Sequence, residues 1–210
     1  MSENTAGLFT FDQLSGEAKE TARTVWLHSA ERMEEFREYI LQVMKELFPG
    51  GTFHVHFSHT GHPEDGMNIG GSVSVEDIYT CIKNEWIFGL PKDLKNTFPE
   101  EDWDRIRACA AAAGETELAI PETDAGLSDE PACHVEFAER WIARLQETDR
   151  SSETAGLIHR FQDYADALFA FLNRRFTQIG HRFLHKISDE EFAEIAEKNG
   201  WRFTGNGQLG

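Results

Sequence analysis

Between Leu157 and Phe183 an apolar residue returns every three or four positions: Leu157, Phe161, Ala165, Leu168, Leu172, Phe176, Ile179 and Phe183. That spacing lines one face of an α-helix and no face of a strand. A helix so long and so aromatic along one side needs other elements to cover its stripe, because helical stability in proteins comes mainly from packing an amphipathic face. The chain is therefore committed to a packed, largely helical body. The same stripe has one alternative use, as the seam of a homodimer. Gly180 falls in its last turns and lowers helix propensity there by about 1 kcal/mol relative to alanine.

Other segments follow the same local logic. Ser15 is suited to cap a helix that carries Glu17 and Glu20 in its first turns. Ala18, Ala22, Val25, Trp26, Met33, Phe36, Ile40, Met44 and Leu47 then recur at helical steps, broken near Ser29–Ala30. This predicts one long helix or two in tandem from Gly16 to Phe48, stopped by Pro49-Gly50-Gly51. The period then drops to two. Phe53, Val55 and Phe57 alternate with polar residues, as do Met67, Ile69, Gly71 and Val73, which predicts a β-hairpin with a long loop from His59 to Gly66. Ser74 and Asp77 resemble a capping box and open a short helix from Val75 to about Trp86, ended by Leu90-Pro91. Further helices are predicted from Glu100 to Ala113 and along the apolar face from Val135 to Leu145. Ser188-x-x-Glu191 is a capping box that opens a last helix, which Asn199-Gly200 closes. Trp201 and Phe203 read as a short strand. The predicted fold is α+β, mostly helical with a small antiparallel sheet made of the central β-hairpin and a C-terminal strand. It forms a single domain over residues 1–210, with an acidic, partly mobile insertion at about 99–131.

Charge is the main functional signal. The chain has 37 acidic and 20 basic side chains, a formal charge of −17 with histidine neutral. From Phe98 to Pro131 ten acids face only two bases, Arg105 and Arg107. With 40% hydrophobic and 11% aromatic residues, the chain is no disordered acidic tail. A strongly negative surface repels phosphates, so direct nucleic-acid binding is not expected, whereas basic proteins fit as partners. The candidate partner-binding carboxylates are Glu100, Glu101, Asp102, Asp104, Glu115, Glu117, Glu122 and Asp124, with a second patch of Asp189, Glu190 and Glu194. Closely spaced carboxylates imitate a row of phosphates, and association would be steered by opposite fields. The plainer reading of the same residues is a solvated face that keeps the protein soluble. No run of apolar residues is long enough to span a membrane, and Met1-Ser2-Glu3-Asn4-Thr5 has no secretory character. Three widely spaced cysteines, Cys81, Cys109 and Cys133, fit a reducing cytoplasm.

Catalytic chemistry finds little support. His54, His56, His59 and His62 cluster within nine residues, and His54 and His56 share a strand face. Such a group could hold zinc, and a metal-dependent enzyme built on this hairpin is the alternative reading. The spacing matches no established zinc motif and no cysteine stands nearby, so neither metal nor cofactor is expected, and the bland reading is a polar, solvent-facing strand. Gly66, Gly70 and Gly71 fit no phosphate-loop spacing. Cys133 adjoins His134, yet sequence neighbours rarely form a dyad, and surrounding acids raise a thiol's pKa. The protein reads as a non-enzyme.

Three stretches carry a family resemblance. The opening Phe9-x-Phe11-Asp12-Gln13-Leu14-Ser15-x-Glu17-Ala18-Lys19 resembles the start of a family of phage-encoded proteins often labelled "antitoxin of toxin–antitoxin stability system". The hairpin, from Phe57-Ser58 to Glu64-Asp65-Gly66-Met67-Asn68-Ile69-Gly70-Gly71, is similar to that family's central motif. The ending, Ser188 through Asn199-Gly200-Trp201-Arg202-Phe203-Thr204-x-x-Gly207, looks like its closing helix and tail. The family's Gly–aromatic step and its glutamine are not found in the hairpin, and the acid-rich stretch from Pro99 to Pro131 has no counterpart there. The resemblance implies a phage or prophage origin, a bacterial cytoplasm and a small effector without enzymatic activity.

Overall fold

The computed structural model describes residues 7–57, 67–83, 94, 98–120, 135, 137–145, 152–185 and 187–210. The fold is mostly helical α+β, with a small three-stranded antiparallel sheet. The helices are α1 (Gly16–Leu27), α2 (Ala30–Leu47), α3 (Val75–Lys83), α4 (Glu100–Ala113), α5 (Ala138–Leu145), α6 (Ser152–His185) and α7 (Asp189–Lys198). The strands are β1 (Thr52–Phe57), β2 (Met67–Ser74) and β3 (Glu117–Ile120). The chain divides into two compact units: a terminal unit of Met1–Arg37 with Gln178–Gly210, and a central unit of Glu38–Thr177. Helices α2 and α6 contribute residues to both.

The terminal unit is built by the two ends of the chain. Ser15 caps α1 by accepting a hydrogen bond from the Ala18 amide at 3.3 Å. The tandem-helix alternative holds: α1 ends at Leu27 and α2 starts at Ala30. Val25 leaves the predicted stripe and is 56% exposed, while its neighbours Ala22 and Trp26 are buried. Phe11, Leu14, Ala18, Trp26, Phe192, Ala196 and Phe203 form one apolar cluster. The Phe11 ring lies 4.7 Å from Phe192 and 6.2 Å from Phe203, both edge-on, the geometry that aromatic quadrupoles favour. The C-terminal strand is reduced to single bridges, with Phe203 pairing with Phe9 on one side and Leu209 on the other. Gly207 takes a φ of +85°, and a side chain there would meet the Ala18 carbonyl at 2.1 Å, so only glycine fits where the tail turns back onto α1.

In the central unit β1 and β2 pair antiparallel, as the predicted hairpin requires, with Val55 opposite Ile69. Ser74 and Asp77 do form a cap: the Asp77 amide donates to the Ser74 hydroxyl at 2.9 Å, and that hydroxyl donates to the Asp77 carboxylate at 2.7 Å. One strand was not foreseen. Glu117–Ile120, read in the sequence as the start of a mobile acidic loop, pairs with β2 and buries Leu118 and Ile120. The remainder of that loop lies outside the described residues. Helix α5 begins three residues later than the apolar face suggested, because the side chain of Gln162 on α6 accepts from the Phe137 and Ala138 amides at 3.3 and 2.9 Å and so caps it. The stripe of α6 is spent on the core: Leu157, Phe161, Ala165, Leu168, Leu172 and Phe176 are all buried. Phe161 sits within 6 Å of Phe98, Trp103 and Phe137, at the centre of an aromatic cluster.

Candidate interaction surface

Helix α4 begins after Pro99 with Glu100, Glu101 and Asp102 in its first turn, where the helix dipole favours acids. Most of these carboxylates are not bare. Glu100 accepts hydrogen bonds from the Lys83 ammonium and the Tyr79 hydroxyl. Those bonds hold its carboxyl below the usual range, and the same contact with Glu100 holds the Lys83 ammonium above its own. Asp102 lies 3.4 Å from Arg160 and 3.6 Å from Arg105. Asp104 pairs with Arg107 at 3.0 Å, and Arg107 also reaches Glu76 at 3.1 Å while stacking on the Tyr79 ring. Glu115 is held between Arg140 and Arg144 of α5, at 2.5 and 3.0 Å. Glu101 and Glu117 are exposed and make no ion pair among the described residues. Glu122 and Asp124 lie outside the described residues.

The predicted acidic stretch is thus partly neutralised by bases that sequence proximity could not reveal. Lys83 comes from α3, Arg140 and Arg144 from α5, and Arg160 from α6. The second patch behaves similarly. Asp189 pairs with Arg23 of α1, whereas Glu190 and Glu194 are exposed without an ion pair among the described residues. Glu191 serves the capping box, accepting from the Ser188 amide at 3.0 Å, while its own amide donates to the Ser188 hydroxyl at 3.2 Å. Those bonds hold the Glu191 carboxyl below its usual range.

His54 and His56 stand exposed on one face of β1, with ring centres 5.4 Å apart. His59 and His62 lie outside the described residues. Among the described residues no group of three or more metal-ligating side chains comes together. Cys81 is buried, and burial first, then the nearby Asp77 charge, pushes its thiol far above the ordinary value, which makes it a poor nucleophile. Cys133 and His134 lie outside the described residues. No helix among the described residues is long and apolar enough to cross a membrane. Near the two ends of the chain, Phe11 packs against Phe192 and Phe203 in the terminal unit. In comparisons with known proteins, no family model, no curated protein and no solved structure matches the chain.

Proposed function

We propose that this chain is an acidic interaction protein of phage or prophage origin, without enzymatic activity. It acts in the bacterial cytoplasm by binding and neutralising a basic bacterial target. That target is a toxin or a nucleic-acid-binding defence complex, of the restriction or CRISPR kind. The observation that carries this reading is where the charge lies. The central unit holds 25 acids against 12 bases, on a body whose interior is aromatic and aliphatic. An ion pair at the surface cancels the field close by but leaves the net charge unchanged, so long-range attraction for a basic partner persists. A strict copy of a phosphate row would need bare carboxylates along α4, and Glu100, Asp102 and Asp104 are tied to bases there. Recognition therefore rests on the overall field, with Glu101 and Glu117 as the contact carboxylates of the central unit.

The test is affinity capture from bacterial lysate, with the bound proteins identified by mass spectrometry. The expected result is a basic protein whose retention falls steeply between about 50 and 500 mM salt, as the screening length shortens severalfold. No captured protein, or capture indifferent to salt, removes this reading.

A further inference from the structure

Strand period places His54 and His56 on the same exposed face of β1, with Val55 between them turned into the core. Their rings are 5.4 Å apart between centres and inclined at 75°. An imidazole nitrogen binds a zinc-like ion at about 2.0–2.1 Å, which places the ion about 3.2 Å from the ring centre. Two such ligands at a tetrahedral angle hold their ring centres about 5.2 Å apart. The observed spacing of 5.4 Å meets that requirement. Across the ladder from His54 stands Gly70, so the neighbouring strand puts no side chain into the space beside that ring. The β1 backbone is fixed by six paired positions along β2, so little order remains to be gained on binding.

We propose that His54 and His56 form a two-histidine site for a borderline divalent cation, Zn²⁺, Ni²⁺ or Cu²⁺. Imidazole selects these ions over Mg²⁺ and Ca²⁺, which prefer oxygen ligands. Among the described residues no group of three or more metal-ligating side chains comes together, so the pair itself is the ligand set proposed. The site is independent of the acidic-surface reading, since neither residue is an acid, and its test needs no partner.

The experiment is calorimetric titration of Zn²⁺ into protein made without a histidine tag and first stripped with EDTA. Thermal unfolding is followed with and without the ion. One ion should bind per chain and raise the unfolding temperature, because only the folded strand presents both rings. His54→Ala and His56→Ala should each weaken binding at least tenfold, while His28→Ala, at the end of α1, should leave it unchanged. If an alanine variant fails to fold, His54→Gln and His56→Gln carry the same test. Failure of the wild type to bind, or wild-type binding by the double variant, overturns the site.

Discussion

Tyr164 is 3% exposed, and its hydroxyl has no hydrogen-bond partner among the described residues; nor has the indole nitrogen of Trp141, in the same aromatic cluster. A buried polar group left unpaired costs about 1–3 kcal/mol. Tyr164→Phe should therefore raise stability by about 1 kcal/mol in denaturant unfolding; a clear loss would mean that the hydroxyl is bonded in solution. The cap at α7 makes the opposite kind of case, because every bond it needs is present. Ser188→Ala should cost about 1 kcal/mol, read by the same unfolding experiment. The partner carboxylate adds a pH signature. Folding lowers the Glu191 pKa, so its contribution is complete above the unfolded value of about 4.3 and is lost as the pH falls through the lower folded value. The gap in unfolding temperature between wild type and Glu191→Gln should be full near neutrality and shrink as the pH falls below the unfolded value. Both members of this cap stand three residues apart in the chain and were legible there. The unpaired Tyr164 hydroxyl was not, since its isolation depends on what tertiary packing brings, or fails to bring, beside it.

Helices were readable because their period is local: α4 runs over the residues its sequence suggested, and the stripe of α6 is buried from Leu157 to Phe176. Strand β3 was not, for a physical reason. Its four residues alternate as Glu117, Leu118, Ala119 and Ile120, too briefly to stand out in an acidic stretch, and they become a strand only through the free edge that β2 offers. Leu118→Ala measures the difference between a loop and a strand. Leu118 is fully buried, so its truncation should cost about 2–5 kcal/mol, whereas in a mobile loop it would cost almost nothing. Gly180 inverts the expectation from propensity in the same way. A methyl group there would stand 2.8 Å from the ring of Phe36, which is itself buried and stacked on Phe183. The glycine permits a close approach within the terminal unit. Gly180→Ala should destabilise by about 1–3 kcal/mol from overpacking, more than the roughly 1 kcal/mol that alanine gains in helix propensity.

The charge of the whole chain is set by composition, but its field is set by folding. Within the segment from Phe98 to Pro131 the acids outnumber the bases five to one, and that local count suggested an acidic surface for a basic partner. Folding brings Lys83, Arg140, Arg144 and Arg160 to it from other helices, so Glu100, Asp102 and Glu115 face bases and not only water. Substitution can separate the two forms of attraction that remain. Replacing a paired acid, as in Asp104→Asn, changes the net charge by one unit and frees Arg107 from one of its two carboxylates. Replacing an unpaired acid, as in Glu101→Gln, changes the net charge equally but removes a carboxylate directed at solvent. If association with a basic partner is driven by net charge alone, the two variants should slow it alike at low salt and converge at high salt. If the exposed carboxylates touch the partner, Glu101→Gln and Glu117→Gln should also speed dissociation, while Asp104→Asn should leave dissociation unchanged. We expect the second pattern, because an ion-paired carboxylate must break its bond to Arg107 before it can bind a basic group on a partner, and an unpaired one need only lose water.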